Sequence, residues 1–229
     1  MTKLYPLFPA IIALFFLNSC SAIKFGNKNE LESGYYKNSE SEKVYIHEEE
    51  EKIYLFEIKE NKLELNQIIE NNIEATEIAT DYSFRRNSFD IDLISIPIKY
   101  RFANEYLPAQ LNTALSAAIF IGFRKDFHSI KYEADLFGTQ KRSVSNLGFS
   151  LGILSGFSHV DINETTTQFL QEKEYEGVAW MNGINGIVGW NQFSFGLVLG
   201  FDFLLDQNKD IWIYNKKPWI GFSIGLNLN

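Results

Sequence analysis

The stretch FSFGLVLGFDFLL at residues 193–205 decides the fold. Its odd positions are large and apolar, and they are Phe193, Phe195, Leu197, Leu199, Phe201, Phe203 and Leu205. The even positions are small or polar until the last turn: Ser194, Gly196, Val198, Gly200, Asp202 and Leu204. Successive side chains of a β-strand point to opposite faces, so this pattern predicts a strand with one continuous apolar face. Residues 218–229, PWIGFSIGLNLN, repeat it, and both stretches can cross a bilayer as tilted strands of about 9–11 residues.

Four earlier stretches alternate in the same way, at residues 90–102, 112–124, 147–153 and 178–190. In the first of them, one face carries Ile94, Ile96, Ile98, Tyr100 and Phe102, and the other carries Ser95, Pro97, Lys99 and Arg101. Pro97 donates no hydrogen bond to a strand ladder, so we expect a bulge or an edge-like register there. Together with the two C-terminal stretches, these segments predict long strands throughout the second half of the chain.

The composition argues against several classes of function. The formal net charge of −8 disfavours a polyanionic partner such as nucleic acid. The single cysteine excludes an intrachain disulfide framework, and no zinc-type Cys/His spacing or phosphate-binding glycine loop occurs. Aromatic residues make up 15% of the chain and are interleaved with polar residues and glycine, which is typical of barrels that face lipid. We therefore expect no cofactor, no metal and no nucleic-acid partner.

The first residues have the parts of a secretory signal. Lys3 precedes an apolar run at residues 4–17, which is too short for a spanning helix. The Leu-Asn-Ser-Cys that follows at residues 17–20 resembles a bacterial lipobox, in which the cysteine becomes the lipid-modified first residue of the mature chain. The sequence thus predicts a signal peptide at residues 1–19 and lipidation of Cys20, with cleavage by ordinary signal peptidase as the alternative.

Residues 20–87 are polar and glutamate-rich and contain only short strand signals. Single-chain barrels use even strand numbers from eight upward, so we expect this region to contribute at least two strands to a barrel formed mainly by residues 88–229. Residues 63–80 mix helix and strand signals and suit either barrel strands or a periplasmic tether or cap. The predicted fold class is all-β: an antiparallel up-and-down membrane β-barrel of about eight strands, with ten as the alternative, behind an N-terminal signal segment.

The region from about residue 90 to residue 229 resembles the outer-membrane β-barrel proteins of Gram-negative bacteria. The resemblance implies an outer-membrane location, contact with outer-membrane lipid, and insertion by barrel-assembly machinery that reads the last strand. That family usually ends in an aromatic residue, whereas this chain ends in Leu228 and Asn229. Residues 159–177 and 206–217 are expected as long external loops. The aromatic residues near strand ends are expected to form interfacial girdles, and they are Trp190, Trp212, Tyr214 and Trp219.

Four charged residues fall on the inner face of these strands: Lys99, Arg101, Arg124 and Asp202. The interior of a barrel of about eight strands is narrow enough for side chains to fill it. An unpaired buried charge is costly, so we expect the four to pair with one another and plug the lumen. The predicted function is a non-catalytic structural or surface-interaction protein of the outer membrane, with no catalytic residues and an unspecified external partner.

Two other functions fit parts of the sequence. A soluble lipoprotein barrel of the lipocalin type would turn the same apolar face inward around an apolar ligand. A lipid-modifying barrel enzyme would need a serine and a histidine from different strands, because the adjacent pairs His128-Ser129 and Ser158-His159 point to opposite faces. Residues 206–210, DQNKD, open like a calcium loop but lack its later Gly and Glu, which favours an Asx-rich external turn.

Overall fold

The computed structural model describes residues 31–49, 52–60, 62–74, 78–136, 138–190 and 193–226. The all-β prediction is confirmed within these ranges, where twelve strands form one antiparallel sheet. The strands are β1 Gly34–Lys37, β2 Lys43–Glu49, β3 Lys52–Lys59, β4 Lys62–Ile69, β5 Asn72–Glu74, β6 Tyr82–Arg101, β7 Gln110–Asn112, β8 Ser116–Ala134, β9 Thr139–Ile162, β10 Tyr175–Trp190, β11 Phe193–Leu204 and β12 Pro218–Leu226. No helix in the described ranges has the length and apolar character needed to span a membrane.

Six strands of the sheet close on one another, and we call them the ring strands. β6, β8, β9, β10, β11 and β12 pair in that order, and β12 pairs back onto β6 from Trp219 opposite Arg101 to Ile224 opposite Ser95. This number differs from the prediction of about eight, because the strands of residues 34–74 lie beside the ring and not in it. β6, β8 and β9 have 20, 19 and 24 residues and continue beyond the ring.

The C-terminal strands face as their alternation predicts. Phe195, Leu197 and Phe201 are 45%, 67% and 41% exposed on the outside of the ring. Gly196 and Ser223 are buried on the inside. The same parity holds along β8, β9 and β10, where most large apolar side chains point outward and the interior holds the small side chains together with Phe120, Leu154, Met181 and Ile187. The last residues, Leu228 and Asn229, lie outside the described ranges.

Pro97 reverses the facing of β6. Between the pairs Ile98–Phe222 and Ser95–Ile224, β6 has two residues and β12 has one, which is a bulge. The expected bulge is therefore present. The prediction that Ile94 and Ile96 share a face with Ile98 is wrong, because an extra residue reverses the parity of every later side chain. The buried inward positions are Asp90, Asp92, Ile94 and Ile96 before the bulge and Lys99 and Arg101 after it.

Residues 34–74 build a second part of the sheet, which we call the N-terminal sheet. β1 joins β6 where Lys37 lies opposite Arg85, β2 to β4 follow, and β5 pairs with β9. Arg142 Nη2 of β9 forms a buried ion pair with Glu48 Oε1 of β2 at 2.6 Å. The predicted boundary between residues 87 and 88 falls inside the continuous strand β6. The core of this part draws on strands shared with the ring, and its members are Leu31, Tyr36, Val44, Ile46, Ile53, Leu55, Ile69, Phe84, Ile130 and Val144.

The loop of residues 205–217 folds back over one end of the ring, and we call it the cap. The backbone N–H of Ile213 in this loop donates to the carbonyl oxygen of Thr166 at 3.0 Å. The expectation of aromatic girdles is wrong for Trp212, Tyr214 and Trp219, which are buried, whereas Trp190 is 64% exposed. The cap buries Trp212, Ile213 and Tyr214 against the ring residues Val160, Ile162, Ala179 and Leu204.

We expect Gly152→Ala to weaken the closure of the ring. A Cβ at this position would overlap the backbone of Ile121 and Gly122 on the neighbouring strand, so the free energy of unfolding should fall by about 1–3 kcal/mol. Gly186→Ala is the matched control, because a Cβ there meets nothing within 4 Å. Urea unfolding in detergent, followed by tryptophan fluorescence, measures both variants, and equal stabilities would contradict the close strand contact.

Candidate functional site

Three charged side chains meet inside the ring below the cap, and we call them the upper cluster. Lys99 and Arg101 project inward from β6 after the bulge, and Asp202 projects inward from β11. Lys99 Nζ lies 3.1 Å from Asp202 Oδ1, and Arg101 Nη2 lies 2.5 Å from Asp202 Oδ2. The three side chains are 1%, 4% and 0% exposed. Because β12 separates β6 from β11, these ion pairs connect strands that share no backbone ladder.

The Lys99 ammonium group has polar and aromatic partners besides the carboxylate. It donates to Ser158 Oγ at 2.8 Å, and Ser158 Oγ lies 2.9 Å from Ser116 Oγ. The Trp219 ring centroid is 4.3 Å from Lys99 Nζ, which is a cation–π contact. Such contacts are strongest where water is excluded. Trp219 faces inward with Gly221 and Ser223 by the parity of β12, and its ring there lies against the buried ammonium group.

The cap rests on Arg101. The guanidinium Cζ lies 4.7 Å from the ring centroid of Tyr214 and 5.3 Å from that of Trp212. Tyr214 Oη is 2.5 Å from Gln110 Oε1, so the same ring also joins the cap to β7. The backbone N–H of Lys216 donates to the carbonyl oxygen of Asp202 at 2.8 Å. The charged cluster and the loop that covers it are thus one connected structure.

Arg124 lies in a second charged group, the lower cluster, with Asp90 and Asp126. Its Nε lies 2.8 Å from Asp126 Oδ1, and its Nη1 lies 3.9 Å from Asp90 Oδ2. The structure therefore brings three of the four predicted charges together and gives Arg124 different partners. The parity of β8 already puts Asp126 on the inner face with Arg124, whereas Asp90 lies on that face only because the bulge near Pro97 reverses the facing of β6.

An apolar layer separates the two clusters. Along β8, Ala118 and Phe120 stand between Ser116 and Arg124, and along β6 the bulge divides the apolar residues from the cations. The buried residues of this layer are Ile94, Ile96, Ala118, Phe120, Leu154, Met181, Ile187, Val198 and Trp219. A narrow ring is filled by its own side chains. In the described residues the interior is accordingly packed between the two clusters, in the manner of a protein core.

The outside of the ring has the opposite composition, and we call it the outer wall. It consists of the outward positions at residues 89–102, 115–123, 147–157, 178–190, 193–205 and 218–224. None of these described outward positions holds Asp, Glu, Lys or Arg. Its most exposed large side chains include Phe89, Leu93, Leu115, Phe123, Leu151, Ile153, Trp190 and Leu197. Soluble monomers rarely expose contiguous apolar patches beyond a few hundred Å², so this surface needs an apolar partner.

Of the adjacent serine–histidine pairs that suggested an enzyme, Ser158 does contact His159, but its Oγ donates to the backbone carbonyl oxygen at 3.1 Å and not to the imidazole ring. Burial lowers the pKa of His128, and His159 Nε2 lies 3.3 Å from Glu176 Oε2. A different serine and histidine do approach each other, since Ser33 Oγ is 3.3 Å from His47 Nδ1. This contact lies on exposed surface, and neither residue lines the cavity at residues 35–43, 85–87 and 125 or the cavity at residues 83, 127–129, 145–147 and 190. This serine–histidine pair therefore lacks the enclosed pocket that would hold a substrate.

Residues 206–210 form an Asx turn. Asp206 Oδ1 accepts a hydrogen bond from the backbone N–H of Asn208 at 2.7 Å, and Asp206 Oδ2 accepts one from Tyr175 Oη at 2.9 Å. No group of three His, Cys, Asp or Glu side chains in the described ranges could hold a metal ion. The predicted lipidation site, Cys20, and the predicted signal peptide lie outside the described residues.

We expect Asp202→Ala to lower the free energy of unfolding by about 3–5 kcal/mol, because it leaves two buried cations without their counter-ion. Asp210→Ala is the matched control, since it removes an exposed carboxylate from the cap. Asp202 holds Arg101, and Arg101 lies against Trp212 of the cap. Loss of Asp202 should therefore expose Trp212 to solvent and shift the tryptophan emission to the red, whereas Asp210→Ala should not. Urea unfolding in detergent measures the stabilities, and a wild-type stability for Asp202→Ala would contradict the role of the upper cluster.

Comparison with known proteins finds no relative of this chain. No family model matches it, and no curated protein and no solved structure matches it either. The function is therefore argued from the outer wall, the packed interior and the two ends of the ring.

Proposed function

We propose that the six ring strands form a closed antiparallel β-barrel that spans an outer membrane, with two strands fewer than the usual minimum of about eight, and that the protein has a non-catalytic structural or surface-interaction role there. The observation that carries this proposal is the outer wall, whose outward positions hold no charged residue among those described. A Lys or Arg on the lipid face of such a barrel costs about 2–4 kcal/mol at the middle of the bilayer. The absence of charge from this wall, in a chain with 22% charged residues, is what a lipid environment requires.

The height of the outer wall supports the same proposal. Along β9 it runs from Leu147 to Phe157, and charged or ionisable outward residues begin at His159 and Asp161 beyond it. Eleven residues at about 3.3 Å each, tilted by about 45°, rise by roughly 25 Å, which matches the apolar band of outer-membrane barrels. At the other end, Lys125 on β8 is the first outward charge. The wall is thus bounded by polar residues on both sides.

The interior argues against a carrier of the lipocalin type. Such a carrier needs an apolar cavity and a polar outside, whereas here the charges of the upper and lower clusters point inward and the large apolar side chains point outward. Between the clusters, the described apolar residues pack against one another as a core. The interior is organised to hold the strands together, which supports a structural role.

The two ends of the ring differ in a way that supports one orientation. The connections between β6 and β8, β9 and β10, and β11 and β12 are long and lie together at the capped end, whereas residues 191–192 alone join β10 to β11 at the other. Outer-membrane barrels keep their short turns on the periplasmic side. In this proposal the cap faces outward, available for surface contacts, and the N-terminal sheet lies in the periplasm as an extension of the barrel wall.

We expect the full-length protein, expressed with its own leader, to fractionate with the outer membrane. It should resist a carbonate wash and migrate faster on a gel when it is not boiled, because a closed barrel stays folded in detergent. A protein recovered in the carbonate wash with no shift on boiling would refute the proposal and favour a soluble carrier.

We expect Leu197→Arg to reduce the membrane-inserted, heat-modifiable fraction, because Leu197 is 67% exposed in the middle of the outer wall. The cost of about 2–4 kcal/mol on a lipid-facing strand should lower that fraction several-fold. Leu63→Arg is the matched control, because Leu63 is 47% exposed on β4 of the N-terminal sheet, and it should leave the fraction unchanged. If Leu197→Arg inserted as wild type does, the wall would not face lipid.

A further inference from the structure

Five cations line one cavity at the junction of the N-terminal sheet and the ring. The cavity has a volume of about 320 Å³, and none of its described lining residues is acidic. The cations come from β1, β2, β6 and β8, and they are Lys37, Lys43, Arg85, Lys125 and Arg86, of which Arg86 is paired with Glu32. The chain as a whole has a formal net charge of −8, so this cluster is a local departure from an acidic protein. A local positive field of this kind favours an anion.

The strand register places three of these cations directly opposite one another. Lys43 lies opposite Lys37 across β2 and β1, and Lys37 lies opposite Arg85 across β1 and β6. Like charges in opposed positions destabilise a sheet unless something compensates for them. Within the described residues, none of Lys37, Lys43, Arg85 and Lys125 has a carboxylate within 4.0 Å. An anion held between them would remove the repulsion.

The neighbours of these side chains leave their charges directed at the cavity. Arg85 Nη2 donates to Ser41 Oγ at 2.7 Å, which holds the guanidinium at the wall. Lys43 Nζ lies 4.3 Å from the ring centroid of Tyr35, another residue of the cavity wall. Neither partner carries a negative charge. Arginine and lysine donors, together with a hydroxyl group, are the groups that proteins use to hold phosphate oxygens.

The cavity opens at the edge of the outer wall. The pair Asn87–Lys125 at the cavity is followed, on the same face of β6 and β8, by the pair Phe89–Phe123. The two phenylalanine rings contact each other with centroids 6.0 Å apart, and their side chains are 57% and 78% exposed. A ligand bound here therefore meets cations at one end and apolar rings at the other, which is the arrangement that suits an amphipathic anion.

We propose that this cavity binds the phosphate headgroup of a membrane phospholipid, from the leaflet that faces the N-terminal sheet. Lys37, Lys43 and Arg85 hold the phosphate oxygens, and the acyl chains lie on Phe89 and Phe123. The inference rests on the proposed function, because only a membrane-spanning ring brings this edge to the headgroup level. Bound lipid then joins the N-terminal sheet to the membrane at the point where β1 meets β6.

The test compares phosphatidylglycerol, diacylglycerol and inorganic phosphate as probes, added to the full-length protein in detergent and measured by native mass spectrometry. Wild-type protein should retain phosphatidylglycerol and not diacylglycerol, which lacks the phosphate. The double variant K37Q/R85Q should bind phosphatidylglycerol about tenfold more weakly or worse, because two charge-assisted contacts are lost. The control K131Q/K141Q removes the same charge from exposed lysines outside the cavity and should bind as wild type does.

Each outcome bears on the proposal. Wild-type lipid binding by K37Q/R85Q, with its heat shift on gels retained, would overturn it, and so would equal weakening by both double variants. Inorganic phosphate that binds as tightly as phosphatidylglycerol would also overturn it, because the site would then recognise free phosphate. A wild-type protein that leaves the membrane in a carbonate wash would refute the proposed function itself, whereas failure of lipid selectivity in a membrane-bound protein would refute this inference alone.

Discussion

The ion pairs of Asp202 with Lys99 and Arg101 are the interactions on which the rest of the ring depends. Two cations at 1% and 4% exposure need a counter-ion, and it comes from a strand that is not their backbone neighbour. The charges are therefore paired only when β12 has closed the ring between them. Closure of the ring requires small inner residues where strands approach closely, as at Gly152. Closure also brings the aromatic rings of the cap onto Arg101.

The long strands couple two cores that would otherwise be independent. β6, β8 and β9 line the packed interior of the ring and then continue into the core of the N-terminal sheet. The buried pair of Glu48 with Arg142 fastens the N-terminal sheet to β9, far along the chain from its own strands. Because β6, β8 and β9 are continuous strands that contribute to both cores, the N-terminal sheet and the ring share one hydrogen-bonded framework.

The distribution of charge follows from the surroundings that we propose for each surface. Inside the ring, the charges of the upper and lower clusters are paired or stacked on aromatic rings, because burial removes them from solvent. On the outer wall, apolar side chains stand in place of charged ones, because the lipid that we propose there solvates apolar groups better than charges. At the edge, where the two environments meet, the cations of the β1–β6 junction stand beside exposed phenylalanines. Long basic side chains suit such a boundary, since their stems lie along apolar surface while their charges reach a polar layer.

Period-two alternation in the sequence determined the strands of the second half and their facing from β8 to β12. It also determined the inward position of Arg124 and Asp202, because side-chain parity is a local property of a strand. The sequence also indicated the bulge at Pro97 and the inward position of Lys99, but only the pairing of β6 with β12 decided where the extra residue fell and so that Ile94 and Ile96 face inward. The tertiary structure alone decided that six strands close the ring, that Arg124 pairs with Asp90 and Asp126, and that the cap buries Trp212. Those outcomes depend on register and loop contacts between residues far apart in the chain, and alternation within one strand carries no information about its partners.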